Sequence, residues 1–379
     1  LRAALGADAA LHLVGGAVRD RLLGRVGGDL DLATALMPEE VIRRAKAHGL
    51  KPIPTGLQHG TVTVIVDHRP FEITTFRGDE GYLDGRHPVS VRLGVGLEED
   101  LARRDFTINA LALPVEALER EDWRAFLVDP FGGCADLDAR IIRAVGDPLD
   151  RFAEDGLRPL RACRFASQLD FALDPATLRA IPARLDVARK VAVERVFVEL
   201  TKLLVGPAPR CGLEALEGTG LLDLWMPELR PMVGCAQNHY HRFDVWRHTL
   251  EVLENLPADA ALRWAALLHD AGKPEARSVD EAGEAHFYGH EAASERIAEA
   301  ILARLRASRA LAQEVCALIR HHGQHPTEAW GDAACRRLLR RLSEDGLALD
   351  RWGRFRRADL LGKGLGEEPC RVHEAQMAR

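Results

Sequence analysis

The chain has no Cys-x-x-Cys pair, and its seven cysteines (Cys134, Cys163, Cys211, Cys235, Cys316, Cys335 and Cys370) are scattered and odd in number. That usage argues against both a disulfide framework and a zinc knuckle. No apolar run approaches a membrane span and no basic-then-apolar leader is present, so the expectation is a cytoplasmic protein without membrane association. Internal repeats and low-complexity tracts are missing as well. Positive charge is not in excess: the formal net charge is −6, so any nucleic-acid binding must come from local basic faces. What is present is an ordinary globular composition, 47% hydrophobic and 28% charged, in 379 residues, enough for two or three domains.

The richest stretch is Val14-Gly15-Gly16, followed after twelve residues by Asp29-Leu30-Asp31-Leu32. Apolar residues up to Val14 predict a strand, 17–24 a helix, and 29–33 a second strand. On that strand Asp29 and Asp31 share one face, and Leu30 and Leu32 are expected in the core. Two adjacent carboxylates repel unless a cation lies between them, and Mg²⁺ also bridges triphosphate oxygens. The glycine pair lets backbone amides approach phosphate, the helix adds its positive N-terminal end, and Arg19 is placed to grip a phosphate oxygen. An ordinary turn with two capping aspartates is the plainer alternative. Their combination favours a site for a metal-bound nucleoside triphosphate.

Further on, Pro38 to His48 predicts a helix, and the alternating runs His59–Val66 and Phe71–Phe76 predict a hairpin. Glu72 on its second strand is either a third acidic group beside Asp29 and Asp31 or a solvated charge. Gly78 to Pro88, rich in glycine and charge, is expected to be a mobile loop that closes over substrate or is simply solvated. From Glu98 to Leu111 a helix or turn enters a buried segment. There Arg103 and Arg104 are candidates for phosphate or ribose contacts, or for ion pairs with Glu99 or Asp100.

From about Asp147 strand signals vanish and helix follows helix, with breaks at Gly206-Pro207-Ala208-Pro209 and near Gly234. Domain boundaries are therefore expected at 1–146, 147–235 and 236–379. Asp155 and Arg158 stand three apart and would share a helix face. An arginine that donates and an aspartate that accepts match the edges of cytosine and adenine, whereas uracil and guanine oppose donor to donor. A surface ion pair has the same spacing.

Taken together, Gly15-Gly16-Ala17-Val18-Arg19-Asp20, Asp29-x-Asp31, Glu72 to Arg77, Arg103-Arg104-Asp105-Phe106-Thr107-Ile108-Asn109-Ala110, Asp129-Pro130-Phe131-Gly132-Gly133 and Glu154-Asp155-x-x-Arg158 resemble the bacterial class II CCA-adding tRNA nucleotidyltransferases. The likeness runs on through Glu194-Arg195 and Glu199-Leu200 to Pro227-Glu228-Leu229. It implies an α+β fold: a polymerase-β-like nucleotidyltransferase head, an all-helical neck and body, and a helical C-terminal domain. It further implies CMP and AMP addition to the tRNA 3′ end from CTP and ATP. Asp29 and Asp31 would bind Mg²⁺ and act with Glu72 in catalysis. Gly15, Gly16, Arg19, Arg103, Arg104, Asp105, Asn109, Arg161 and Arg164 would hold nucleotide, and Asp155 with Arg158 would select the base. Two departures are Gly156 and Pro159, which weaken the helix carrying that pair, and Arg86-His87-Pro88, where the family carries two arginines. A-only addition and poly(A) synthesis are the alternatives within the class. An RNA-directed phosphohydrolase or a tRNA-binding module, either with a non-catalytic head, are those outside it.

For the RNA, Arg179, Arg184, Arg189, Lys190, Arg195 and Lys202, and further on Arg336, Arg337, Arg340 and Arg341, form basic clusters suited to phosphates and 2′-hydroxyls. A separate constellation, His248, His269-Asp270-x-Gly272-Lys273, His290, His321-His322 and Asp359, resembles the HD-domain metal phosphohydrolases. His248, His269, Asp270 and Asp359 would hold a divalent ion (Mn, Fe, Co, Ni or Mg), and His290 with His321 or His322 would bind substrate or a second ion. His239, His241 and His286 are expected to be structural core histidines.

Overall fold

The structure is a computed structural model that describes residues 1–25, 30–82, 88–324, 330–367 and 371, with 79–82 and 88–89 as backbone alone. It contains two compact units, Leu1–Pro159 with Ala172–Lys190, and Leu160–Phe171 with Val191–Arg379.

The first unit is built on a six-stranded sheet of β1 (His12–Val14), β2 (Asp31–Thr34), β3 (Lys51–Gly56), β4 (Thr61–Val66), β5 (Arg69–Thr75) and, after the hairpin of β6 (Arg77–Tyr82) and β7 (Pro88–Leu93), β8 (Ala112–Pro114). Strand order is β3-β4-β5-β2-β1-β8, with β2 and β5 parallel and the other pairs antiparallel. Pro52 and Pro54 sit on the edge strand β3, where a missing N–H leaves no central ladder broken. Val14, Ala33, Phe76, Leu101, Ala110, Ala112 and Val145 close one core of this unit. The expected β4–β5 hairpin is present, joined at Asp67 and His68, both at positive φ.

Three local expectations are corrected. β2 begins at Asp31, so alternation does not reach back to Leu30, which is 48% exposed while Leu32 is buried. The stretch expected as a loop is largely paired: β6 and β7 run antiparallel from Arg77 opposite Leu93 to Tyr82 opposite Pro88, and 83–87 lie outside the described residues. Glycine at 78 serves close approach there, since a Cβ would stand 2.3 Å from Glu99 Oε1. Finally, Asp155 and Arg158 do not share a helix. One helix ends at Glu154 and the next begins at Arg158, with Asp155 extended between them (φ −138°, ψ 111°). Gly156 lies so close to the chain that a Cβ would be 2.5 Å from the Val187 carbonyl oxygen. Pro159 falls in the first turn of the new helix, where its missing N–H has no intrahelical partner to lose.

Among its described residues the second unit is helical apart from the short pair Ser278–Val279 and Ala285–His286. Helix Val193–Leu204 shows how its core is made: Val196, Leu200, Leu203 and Leu204 recur at helical spacing and are buried. Burial of each such side chain contributes roughly 1.5–3 kcal/mol. Helix Ala260–Leu268 is buried from Ala261 through Leu268, and Asp259 caps its N-terminus by accepting from Leu262 N–H. No helix among the described residues is long and apolar enough to cross a membrane.

Candidate active site and candidate metal centre

β1 delivers the chain to Gly15, which turns at φ +68° into helix Gly16–Leu22. Glycine is required at 15 twice over: the backbone is left-handed, and a Cβ would stand 2.8 Å from Arg104 Nη1. One strand away, β2 and β5 pair with Asp31 directly opposite Glu72, and both residues are exposed. Register neighbours in a parallel pair point to the same face, so the two carboxylates stand side by side. Asp29 lies outside the described residues, as do Asp84 to His87 of the expected loop.

Behind this acidic edge the polar motif from Asp100 to Asn109 folds into a buried network. Asp100 is 1% exposed and binds both Arg103 (2.8 Å) and Arg104 (3.2 Å), while its Oδ1 also accepts from Arg77 N–H. Burial alone would raise the Asp100 carboxyl; the two guanidinium groups outweigh it and hold it below its ordinary value. The ion pair anticipated for these arginines is thus real, but it is buried. Arg19, also buried, donates to Asp20 and to Asn109 Oδ1 at 2.6 Å, and Asn109 Nδ2 donates to Asp105 Oδ1 at 3.0 Å. Asp105 further accepts from Phe106 N–H. Asp129 accepts from Gly133 and Cys134 N–H, and a Cβ at Gly133 would be 2.3 Å from the Thr107 carbonyl oxygen. The Asp129 to Gly133 motif therefore braces the segment that carries Asp105 and Asn109.

Arg158 reaches back to the same network, donating to the Arg103 and Arg151 carbonyls, each at 2.9 Å, and pairing with Glu154. Asp155 is half-buried and accepts from Leu157 N–H at 2.9 Å. Arg161 and Arg164 belong to the other unit. There Arg164 pairs with Glu199 at 2.7 Å and stacks on Phe165, over which Arg161 also lies. Of the basic clusters, Arg179, Arg189, Lys190, Lys202, Arg336, Arg337, Arg340 and Arg341 are exposed.

In the second unit four histidines and two aspartates converge. His248 Nε2 is 3.1 Å from Asp359 Oδ1 and 3.2 Å from His269 Nε2, which is 3.1 Å from Asp270 Oδ2. On the other oxygen of Asp270 lie His290 Nε2 at 3.5 Å and His322 Nε2 at 3.6 Å, themselves 3.1 Å apart. His321 is not part of this group; it bonds Asp345 at 2.7 Å. His239 and His286 are not core residues either, since they pair at the surface with Glu284 and Asp280. His241 is part-buried beside His248, and burial foremost lowers it to about 2, keeping it neutral.

The donor set fits a divalent cation on hydrogen-bonding grounds. His269, His290 and His322 each have Nδ1 against a carbonyl three residues back (Ala266 at 2.9 Å, Phe287 at 2.8 Å and Ile319 at 2.6 Å). A carbonyl only accepts, so each Nδ1 carries a proton, and in the neutral ring that leaves Nε2 with the lone pair a cation needs. Lone pairs of His290 and His322 3.1 Å apart, beside Asp270 Oδ1, repel unless a cation lies among them. His248, His269 and Asp359, and likewise His269, Asp270 and His322, bring their ligand atoms within 4.8 Å of one another. Lys273, bonded to Asp270 at 2.7 Å, and Arg356, bonded to Asp359, neutralise the two carboxylates; the sequence reading had given neither a role. The Arg356 signal was available as a cation three residues before Asp359 on a helix.

Residues 11–143 match the poly A polymerase head domain, 170–232 the probable RNA and SrmB-binding site of polymerase A, and 239–356 the HD domain. The CCA-adding enzyme of Levilactobacillus brevis is 42% identical over 261 residues, 69% of this chain and 60% of that protein. That of Pediococcus pentosaceus is 47% identical over 208 residues, 55% of this chain and 50% of that protein. The chain thus spans 50–60% of the length of these two relatives. The crystal structure of the Bacillus stearothermophilus CCA-adding enzyme in complex with CTP superposes with a TM-score of 0.69 at 31% identity, covering 97% of this chain and 77% of that one. A head with its acidic edge, a following helical region and an HD domain, in that order, make this chain a member of the CCA-adding enzyme family.

Proposed function

We propose that the chain adds CMP and AMP to the 3′ end of tRNA, using CTP and ATP. The observation that carries this is the exposed pair Asp31 and Glu72, side by side next to a glycine turn that only glycine can make. Asp29 and Asp31 would hold Mg²⁺, with Glu72 beside Asp31. The bound ions supply activation of the tRNA 3′-hydroxyl and stabilisation of the leaving pyrophosphate. The chain's own part is placement. Gly15 admits Arg104 beside the turn, Asp100 fixes Arg103 and Arg104, and Arg19, Asn109 and Asp105 stiffen the floor on which ribose and phosphates rest. Asp155 and Arg158 read the base across the helix break, and Arg161 and Arg164 support the incoming nucleotide. The tRNA lies along exposed basic residues of the helical part, and its location makes the protein cytoplasmic. The nucleotidyltransferase head comprises 1–146, the neck and body 147–235 and the HD domain 236–379.

The buried histidine–aspartate centre favours a second activity. His248, His269, Asp270 and Asp359 hold one divalent ion, with His290 and His322 available to a second, and the ions supply Lewis-acid chemistry for phosphoester hydrolysis.

The test offers the protein three tRNA transcripts, ending at the discriminator base, at C or at CC, with each NTP separately. Addition to all three, in the order C, C, A, is expected. Addition of A to the CC end alone would replace the proposal by A-only activity, and no addition at all would defeat it.

A further inference from the structure

The two flanks of Asp31 serve different reactants. In an in-line displacement the entering 3′-oxygen and the leaving pyrophosphate oxygen lie on opposite sides of the α-phosphorus. Strand order separates those sides: β2, which carries Asp31, has β1 with the Gly15 turn on one flank and β5 with Glu72 on the other. In the proposed reaction a triphosphate held by the turn sends pyrophosphate towards β1. The RNA 3′ end therefore reaches Asp31 over β5, β4 and β3.

A continuous row of side chains stands on that flank. Register sets Asp31 opposite Glu72, Glu72 opposite Thr63 and Thr63 opposite Ile53, so the four share one face of four consecutive strands spaced about 4.8 Å apart. Their chain neighbours Leu32, Ile73, Val62 and Val64 turn to the other face and are buried. Thr63 is itself 7% exposed, and its hydroxyl is bonded to that of Thr55 at 2.9 Å. Two hydroxyls bring two hydrogens to one shared bond, so one O–H of the pair is left to donate among the described residues. Beyond it Ile53 is 37% exposed. Lys51, two residues along β3 and so on the same face, is exposed and without an ion pair among the described residues. A hydroxyl, an apolar side chain and an ammonium leading away from two carboxylates match a ribose 2′-hydroxyl, the apolar face of a nucleoside and a backbone phosphate.

We infer, on the proposed nucleotidyl transfer, that Thr63 is a specificity-determining residue: its hydroxyl pair with Thr55 bonds the 2′-hydroxyl of the RNA's terminal ribose while the adjacent 3′-hydroxyl faces Asp31 and Glu72. Two tRNAs ending at CC, identical except that one carries 2′-deoxycytidine as its last residue, are given to the full chain with Mg²⁺ and ATP. The wild-type protein is expected to add AMP to the ribose end with a kcat/KM about three- to tenfold above that for the deoxy end, the contribution of one hydrogen bond. Thr63→Val keeps the branched shape; it should lower addition to the ribose end by that factor and leave the deoxy end and the KM for ATP unchanged. Thr63→Ser should keep the preference, and Thr61→Val, one row away, should not alter it. Equal losses on both tRNAs in Thr63→Val would make Thr63 a support of the sheet and overturn the inference. A preference that survives Thr63→Val, or that Thr61→Val removes as well, overturns it too. Equal rates on the two tRNAs with the wild-type protein overturn it while nucleotide addition stands. No addition to either tRNA defeats the proposed function, and the role of Thr63 falls with it.

Discussion

The two acidic sites of this protein are built in opposite ways. In the first unit Asp31 and Glu72 stand exposed on a sheet face, and the buried groups are the arginines and amides behind them. In the second, His248, His269, Asp270 and Asp359 are 0–4% exposed and their charges are balanced from within by Lys273 and Arg356. An exposed carboxylate pair binds a metal weakly until a ligand supplies further oxygens, whereas a buried set with aligned lone pairs holds one as part of the fold. The first arrangement suits a substrate that arrives with its own ion. The second suits a resident ion.

The hardest test of that contrast is Asp31→Ala. It should lower nucleotide addition by about 10³-fold or more in a single-turnover assay and leave tRNA binding nearly unchanged. Equal activity would mean that the acidic edge is not the reacting centre. His269→Ala should remove metal from the helical unit and reduce metal-dependent phosphohydrolysis by about 10²-fold, with addition intact; metal retained by that variant would break the comparison. Chelation followed by Mg²⁺ should restore addition at once, while the buried centre recovers more slowly and the helical unit loses thermal stability in between, visible as a separate calorimetric transition. Gly15→Ala combines a left-handed backbone with the close approach of Arg104, and a strain of about 1–3 kcal/mol predicts a tenfold or greater loss in kcat/KM for CTP. The smallest effect is expected at Asp259, whose pairing with Arg351 holds its carboxyl below the usual value. Its folded value lies below its unfolded one, so the pair stabilises above about pH 4 and that contribution is lost as acid protonates Asp259. Asp259→Asn, which keeps the cap on Leu262, should cost less than about 1 kcal/mol near neutrality and nothing in acid, measured by urea unfolding.

Much of this was legible from residues in order. The strand before Gly15, the 61–75 hairpin and the helical second half follow from hydrophobic period, which reports local geometry. The sequence reading went wrong where neighbours override local pattern. Residues 78–82, with two glycines and two acids, look like a loop but pair with 88–92, because cross-strand pairing is set by a partner segment that local composition does not show. Asp155 and Arg158 have helical spacing but lie across a helix break, because the Val187 carbonyl closes on Gly156. His321 and His322 were equivalent by position; the direction of the helix face sends one to Asp345 and the other to Asp270.

By itself, then, the sequence determined the order of motifs along the chain: a glycine turn, an acidic strand, an arginine-rich segment, the pair Asp155 and Arg158, and a histidine–aspartate set. Such motifs are short, and their meaning is carried by residue type and spacing. Only the tertiary structure decided which charges meet. That Arg158 donates to the Arg103 carbonyl, and that Asp270 faces two pairs of imidazoles with different oxygens, depend on contacts between segments far apart in the chain. Burial strengthens those contacts by lowering the local dielectric, and no one-dimensional pattern encodes burial residue by residue.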